Sequence, residues 1–219
     1  MAFERSFKTV QDMAFTPRKA GIIISGGNPW EILFCILHLE KQGYLRSPIS
    51  VPQAGPAGLI SQIDSEMARM SLTPLSEVKA TGIDTLIIPG GWRLLDAMSN
   101  FNEAGNAFRV NEDLKNLLKG IYRLNKPIGA FGTASVMVAK SLQGITRSGM
   151  VVTVGSDPKL QSAVAAAGSQ AVVTRPGEVI LDQTNKIVTT GGELGTKRPS
   201  EVFDSCGNMI SALSELIKE

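Results

Sequence analysis

Three side chains suited to acid–base or nucleophilic chemistry lie close together near the start of the sequence. Glu31, Cys35 and His38 are spaced i, i+4 and i+7, so on a helix they share one face. A carboxylate, a thiol and an imidazole are the groups of a nucleophile and its base. The many apolar residues around them, however, predict a helix that is buried on most sides. We therefore expect Cys35 and His38 to be structural, and Glu31 alone to lie near a ligand crevice.

Few other side chains in the sequence could take part in such chemistry. The 219 residues include one histidine and two cysteines, of which the second, Cys206, falls in an apolar helix near the end. This supply is too small for a disulfide framework or a Cys/His zinc site. We expect Cys206 to be a small core residue, and we expect neither a metal nor another cofactor.

The charge balance and the apolar pattern exclude two classes of partner. Lysine and arginine number 22 and acidic residues number 20, which gives a net charge of +2, and 43% of the residues are hydrophobic. The sequence contains no stripe of basic residues, so we expect no nucleic-acid partner. It also contains no apolar run near the ~18 residues that a membrane span requires.

Short apolar segments alternate with helical segments along the chain. This alternation predicts a mostly parallel sheet with helices on both faces. The predicted strands cover residues 21–25, 49–52, 85–89, 127–131, 150–154, 171–174, 179–182 and 186–190. The predicted helices cover residues 30–42, 59–70, 111–125, 134–142, 158–168 and 200–217.

Three of these strands end in turns of small residues, at positions 25–27, 90–91 and 132–133. The ligand crevice of an open α/β sheet lies at the carboxyl ends of its strands, so these turns predict the site. The sequence has neither a G-x-G-x-x-G fingerprint nor a P-loop lysine, which makes a nucleotide ligand a weak hypothesis.

The first 19 residues form a predicted N-terminal arm before a single domain of residues 20–219. Phe3, Phe7 and Phe15 are spread among charged residues in this arm, which lacks the apolar core of a secretory signal. Two interpretations stay open. The arm is either a loose terminus or a segment that docks on other protein subunits through its phenylalanines.

Several motifs together resemble the class I glutamine-amidotransferase-like (PfpI-type) superfamily, and within it the enhancing-lycopene-biosynthesis (ElbB-type) family. They are Ile-Ile-Pro-Gly-Gly at 87–91, Ser-Asn-Phe at 99–101, Lys-Pro-Ile-Gly-Ala at 126–130, Val-Thr-Val-Gly at 152–155 with Asp157, and the stretch from Asp182 to Asn-Lys-Ile-Val-Thr-Thr at 185–190. The resemblance covers position 21 to the C-terminus and is weakest at 48–80. It implies a flavodoxin-like three-layer sandwich.

The resemblance also implies where the catalytic groups would be. The family places a cysteine nucleophile in a strained turn after the Pro-Ile-Gly-Ala strand, and this position is Gly132 here. The family carboxylate corresponds to Glu31, and Gly90 and Gly91 could supply oxyanion amides or form only a turn. Glycine cannot attack a carbonyl and relieves the strain of the turn. With Thr133, these residues are expected to line a vestigial pocket.

Two neighbouring features bear on access to this pocket. Trp92 follows the glycine pair, where the family has small residues, and is expected to fill or cover the crevice. The glycine-rich stretch 190–199 contains Lys197 and Arg198. It either holds an anion or simply connects to the last helix. Glu31 either keeps an inherited position or bonds the backbone around Gly132.

Two functions follow as hypotheses. The first is a catalytically inactive member of the family that serves as a structural or binding subunit of a larger assembly. The alternative is a small-molecule enzyme, glyoxalase/deglycase-like or hydrolytic, that uses Glu31 without a cysteine. The resemblance implies a mitochondrial location on the matrix side, with the cytoplasm as the alternative. It also implies that a homodimer is possible.

Overall fold

A seven-stranded sheet forms the centre of the protein. The computed structural model describes residues 17–51, 71–146 and 148–218. The strands are β1 (Lys19–Ile23), β2 (Leu45–Ser50), β3 (Thr73–Pro74), β4 (Thr85–Ile88), β5 (Ile128–Phe131), β6 (Val151–Val152), β7 (Gln170–Ala171), β8 (Val179–Asp182) and β9 (Ile187–Thr190). The main sheet has the order β3-β2-β1-β4-β5-β9-β8, and β6 pairs with β7 separately. All pairs are parallel except β8 with β9.

Helices cover both faces of this sheet. They are α1 (Pro29–Lys41), α2 (Trp92–Met98), α3 (Phe101–Ala104), α4 (Glu112–Arg123), α5 (Thr133–Ser141), α6 (Pro158–Ala166) and α7 (Pro199–Lys218). On one face α1 and α7 share an apolar core with β1, and on the other face α2, α4, α5 and α6 form the second core. This arrangement confirms the flavodoxin-like three-layer sandwich with a mostly parallel sheet.

The helix ends follow from local sequence. Asn28, Asn111 and Asp157 each accept two backbone N–H groups in the first turn of α1, α4 and α6, as polar N-cap residues do. Gly43 has a φ of 75° just after α1, a left-handed conformation that suits glycine. The predicted bounds of these helices therefore agree with the structure to within a few residues.

The predicted strands at 150–154 and 171–174 are too long, since only two residues of each pair. Val152 ends β6 because the next amide, that of Thr153, donates to the Thr189 side chain at 2.9 Å. The second predicted strand, 49–52, begins earlier, at Leu45. Helix α2 was not expected at all, and the predicted helix at 59–70 lies outside the described residues.

Candidate functional site

The five residues expected in the pocket meet at the ends of β4 and β5. They line a cavity of about 90 Å³, which we call the Glu31 cavity. Typical ligand sites have roughly 300–1,000 Å³, so this cavity is small. Its lining residues are Glu31, Gly90, Gly91, Trp92, Gly132, Thr133, Glu193, Leu194 and Lys197.

Glu31 contributes a buried carboxyl group from the first turn of α1, and only 2% of the residue is exposed. The Asn28 side chain accepts the N–H groups of Trp30 and Glu31 and so fixes this turn. Burial raises the pKa of Glu31 from 4.5 to about 7, although hydrogen bonds from two backbone amides act in the opposite direction. Glu31 can therefore exchange a proton near neutral pH.

Backbone and side-chain groups of the chain itself bond the polar atoms of this cavity. The N–H of Gly90 donates to Glu31 Oε2 at 2.6 Å, and the N–H of Glu193 donates to Oε1 at 2.9 Å. The N–H of Gly91 donates to Thr133 Oγ1 at 2.8 Å. The two glycine amides thus bond side chains at the starts of α1 and α5. In this arrangement they do not point to an oxyanion.

Gly132 lies in a sharp turn between β5 and α5, with φ 41° and ψ −108°. This is the strand-turn-helix position where the related enzymes are expected to place their nucleophile. The N–H of Gly132 donates to the Thr190 carbonyl at 2.9 Å. The alternative expectation, that Glu31 bonds the backbone around Gly132, is wrong, because its partners are Gly90 and Glu193.

Leu194 occupies the space beside Gly132. A Cβ atom at position 132 would lie 2.9 Å from Leu194 Cδ1 and 3.1 Å from the Gly191 carbonyl oxygen, closer than side-chain carbons normally approach. A cysteine therefore cannot enter this turn unless Leu194 moves. Leu194 was not among the residues expected in the pocket. The sequence marks it only as an apolar residue within the run Gly-Gly-Glu-Leu-Gly at 191–195.

The loop that carries Leu194 lies against the cavity, and its two cations are close to acidic residues. The Asn28 amide donates to the Glu193 carboxylate, and Lys197 Nζ lies 3.5 Å from the same carboxylate. Arg198 pairs with Glu201 at 3.5 Å. Both cationic side chains are 79% exposed, so solvent screens these pairs.

Trp92 lies at the rim of the cavity and keeps 41% of its surface exposed. It begins α2, directly after Gly91. Trp92 was expected to fill or cover the crevice, and it lines the cavity without filling it. Leu194 is the apolar side chain packed against the Gly132 turn.

Cys35 and His38 do not join Glu31 in one site. Cys35 and Cys206 are fully buried between α1 and α7, and burial, together with a hydrogen bond between the two thiols, raises the pKa of the Cys206 thiol. The His38 ring packs 4.3 Å from the Phe203 ring, and burial lowers its pKa. The core placement of the cysteines agrees with expectation, whereas His38 is only half-buried.

Helix α1 is also less enclosed than its composition suggested. Trp30 and Leu37 keep 44% and 47% of their surfaces exposed, so a helix buried on most sides is a wrong prediction. These two residues lie on the outer side of α1.

Within residues 17–51, 71–146 and 148–218, no three His, Cys, Asp or Glu side chains gather as a metal would require. Over the same ranges, none of the helices is both long and apolar enough to cross a bilayer.

Comparisons with known proteins identify relatives of the chain and structures with the same fold. No protein-family model matches the chain. The human mitochondrial glutamine amidotransferase-like class 1 domain-containing protein 3 is 29% identical over 174 residues, which cover 75% of this chain and 63% of that protein. The mitochondrial ES1 protein homolog of Rattus norvegicus is 30% identical over 161 residues, which cover 69% of this chain and 59% of that protein. The chain thus spans about three fifths of the length of these curated relatives.

Among solved structures, the fold is similar to an isoprenoid biosynthesis protein with an amidotransferase-like domain from Ehrlichia chaffeensis. The TM-score is 0.77 at 19% sequence identity, and the match covers 91% of this chain and 99% of the other. The chain therefore has homologues named glutamine amidotransferase-like class 1 domain-containing protein and ES1 protein. It shares the fold of an amidotransferase-like domain.

Proposed function

We propose that this chain is a catalytically inactive amidotransferase-like protein that serves as a structural or binding subunit of a larger mitochondrial assembly. The turn at Gly132 carries the proposal. The nucleophile position has no side chain, and Leu194 Cδ1 lies 2.9 Å from where a Cβ atom would be. Covalent catalysis needs both a nucleophile and room for the substrate carbonyl beside it.

The hydrogen bonding of the Glu31 cavity supports the same conclusion. Electrostatic catalysis requires donors that aim at the developing charge of the substrate. Here the amides of Gly90 and Gly91 bond Glu31 and Thr133 instead. A cavity of about 90 Å³ holds a few water molecules, each of which takes ~30 Å³ in the liquid.

An aromatic face on α1 and α7 supports a role in binding another protein. The Trp30 ring stacks on the Phe34 ring at 5.4 Å, and Phe34 contacts the Phe203 ring edge-on at 5.3 Å. Trp30, Leu37 and Phe203 are each more than a third exposed. Contiguous exposed apolar side chains of this kind mark interaction surfaces. The arm with its three phenylalanines lies outside the described residues and stays a prediction.

The proposed lack of activity can be tested with methylglyoxal as substrate. Purified chain is incubated with methylglyoxal, and lactate is measured alongside Glu31→Gln, a matched variant that keeps the shape of the side chain. We expect both proteins to match the buffer blank. Lactate formation by the native chain that disappears in Glu31→Gln would overturn the proposal.

That second outcome would favour the alternative, a glyoxalase/deglycase-like or hydrolytic enzyme without a cysteine. One observation favours this alternative, namely the raised pKa of Glu31, about 7. A carboxyl group with this pKa is half protonated at neutral pH, as a general acid or base should be. Such an enzyme would show a rate that changes with a pKa near 7.

The proposed assembly can be tested by the mass of the native protein. We expect the chain, after gentle extraction of mitochondria, to migrate in a complex much heavier than 23.3 kDa or its dimer. Replacement of the exposed Trp30 by serine should release it, whereas Leu181→Ser on the exposed surface of β8 should not. Migration of the native chain as a free monomer or homodimer would contradict the subunit role.

The mitochondrial location, on the matrix side, is part of the same proposal. The mitochondrial part rests on the relatives, which are mitochondrial proteins. Fractionation of organelles, with protease protection of the matrix, would show the chain elsewhere if the proposal is wrong.

A further inference from the structure

A second, larger depression lies between α4 and the end of α5, apart from the Glu31 cavity. It has a volume of about 500 Å³, within the roughly 300–1,000 Å³ of small-molecule sites. No residue lines both depressions. We call this depression the cationic groove, and its lining residues are Phe108, Arg109, Val110, Glu112, Lys115, Lys119, Lys140, Ser141 and Gln143.

Positive charge is concentrated in this groove. Arg109 precedes α4, Lys115 and Lys119 are one turn apart on α4 and so share a face, and Lys140 lies in the last turn of α5. Four cations face one carboxylate, which gives the lining a formal charge of +3, more than the +2 of the entire chain. A concave surface lined by one sign of charge concentrates ligands of the opposite sign.

Much of this charge is not neutralised within the described chain. Glu112 pairs with Lys115 at 2.9 Å, but its side chain is 71% exposed, so solvent screens the pair. Lys140 Nζ lies 5.6 Å from the centre of the buried Phe108 ring. At this distance the ring attracts the ammonium group, which keeps its hydrogen-bond donors.

A buried polar atom without a partner in the described chain belongs to one of the lining residues. Ser141 lines the groove and is 2% exposed, and its hydroxyl has no hydrogen-bond partner among the described residues. Buried hydroxyl groups in native proteins nearly always have a partner. An acceptor that enters the groove would supply one for Ser141 while its charge is matched by the lysines.

We propose that the cationic groove binds a small phosphorylated molecule. The ammonium groups of lysine suit the compact charge of a phosphate, and phosphate oxygens accept hydrogen bonds from a serine hydroxyl. The groove is larger than inorganic phosphate needs, which leaves room for the carbon part of the ligand. This inference is independent of the proposed loss of catalysis at Glu31.

Isothermal titration of the full chain with pyrophosphate at low salt tests the groove. The double variant Lys119→Gln/Lys140→Gln is compared with Lys41→Gln/Arg175→Gln, which removes the same charge from exposed positions elsewhere. We expect the groove variant to weaken binding by about tenfold or more, and the control variant to change it by less than about twofold. Ser141→Ala should weaken binding by about threefold.

Three results would overturn the assignment. The first is no heat of binding for the native chain at millimolar pyrophosphate, and the second is an equal loss in both double variants. The third is citrate binding as tightly as pyrophosphate with the same variant dependence, which would make the ligand a carboxylate. A short single-stranded oligonucleotide that binds more tightly than pyrophosphate through the same lysines would overturn a small-molecule ligand.

Discussion

The Glu31 cavity and the cationic groove differ in how their polar atoms are paired. In the cavity, Glu31 accepts hydrogen bonds from Gly90 and Glu193, and Leu194 packs against the Gly132 turn. In the groove, the Ser141 hydroxyl lacks a partner within the described chain, and the lysines outnumber the acids. The polar groups of the cavity thus find their partners within the chain, whereas the groove has a hydroxyl group that lacks a partner among the described residues.

This difference distinguishes a site whose polar groups already bond each other from a site with polar groups that are available to a ligand. Polar groups that bond each other contribute to stability, and they must break those bonds before they can bind a substrate. The Glu31 cavity therefore behaves as part of the core, and changes there should affect the free energy of unfolding. The groove should respond to substitution in binding and hardly at all in stability.

The largest expected effect on stability comes from Gly192→Ala. Position 192 has a φ of +51°, and a Cβ atom there would overlap the Glu31 carboxylate. We expect the free energy of unfolding, measured in urea, to fall by about 3 to 4 kcal/mol. Gly177→Ala is the control, because its φ is +82° but no atom lies within 4 Å, so it should cost only about 1 kcal/mol. Equal losses would show that Glu31 is not packed against this turn.

The second effect is a pH dependence that Glu31 imposes. Its pKa is about 7 in the folded protein and 4.5 as the ordinary value, so between these pH values the folded chain holds a proton that the unfolded chain has lost. The contribution of Glu31 to the free energy of unfolding is therefore largest below pH 4.5. It falls as the pH rises to 7, by on the order of 3 kcal/mol. Urea unfolding of the native chain and Glu31→Gln at pH 5 and pH 8 measures it. The same pH dependence in both proteins would contradict a raised pKa.

A smaller loss is expected for Leu194→Ala. Leu194 is half-buried against the Gly132 turn, so its truncation should lower the free energy of unfolding by about 1 to 2 kcal/mol. Leu181→Ala, at a residue that is 47% exposed, should stay within about 0.5 kcal/mol. If the two variants lose equal stability, Leu194 does not close the cavity.

The smallest effect belongs to the groove. Lys119→Gln removes one of several like charges that line the same depression, so thermal unfolding should show a change within about 0.5 kcal/mol. A large destabilisation would mean that the lysine has a structural partner and is not available to a ligand.

The sequence predicted most of the elements because their signals are local. Asn28 and Asn111 cap helices, and Gly43 ends one, through contacts with residues a few positions away. It also indicated that Glu31 lies at the start of the first helix and Gly132 in a strand-end turn. Leu194 was missed because its contact with Gly132 spans 62 positions, and no local pattern encodes it. The overlong strand at 150–154 has the same origin, since the Thr189 side chain captures the amide of Thr153.

The most direct test of the central claim is to restore the nucleophile with and without the space for it. Lactate formation from methylglyoxal is measured for the native chain, Leu194→Ala, Gly132→Cys and the double variant Gly132→Cys/Leu194→Ala. We expect the first three to match the buffer blank and the double variant to exceed it, because only there does a thiol have room beside Glu31. Turnover by the native chain, or a Gly132→Cys variant as fast as the double variant, would contradict the account.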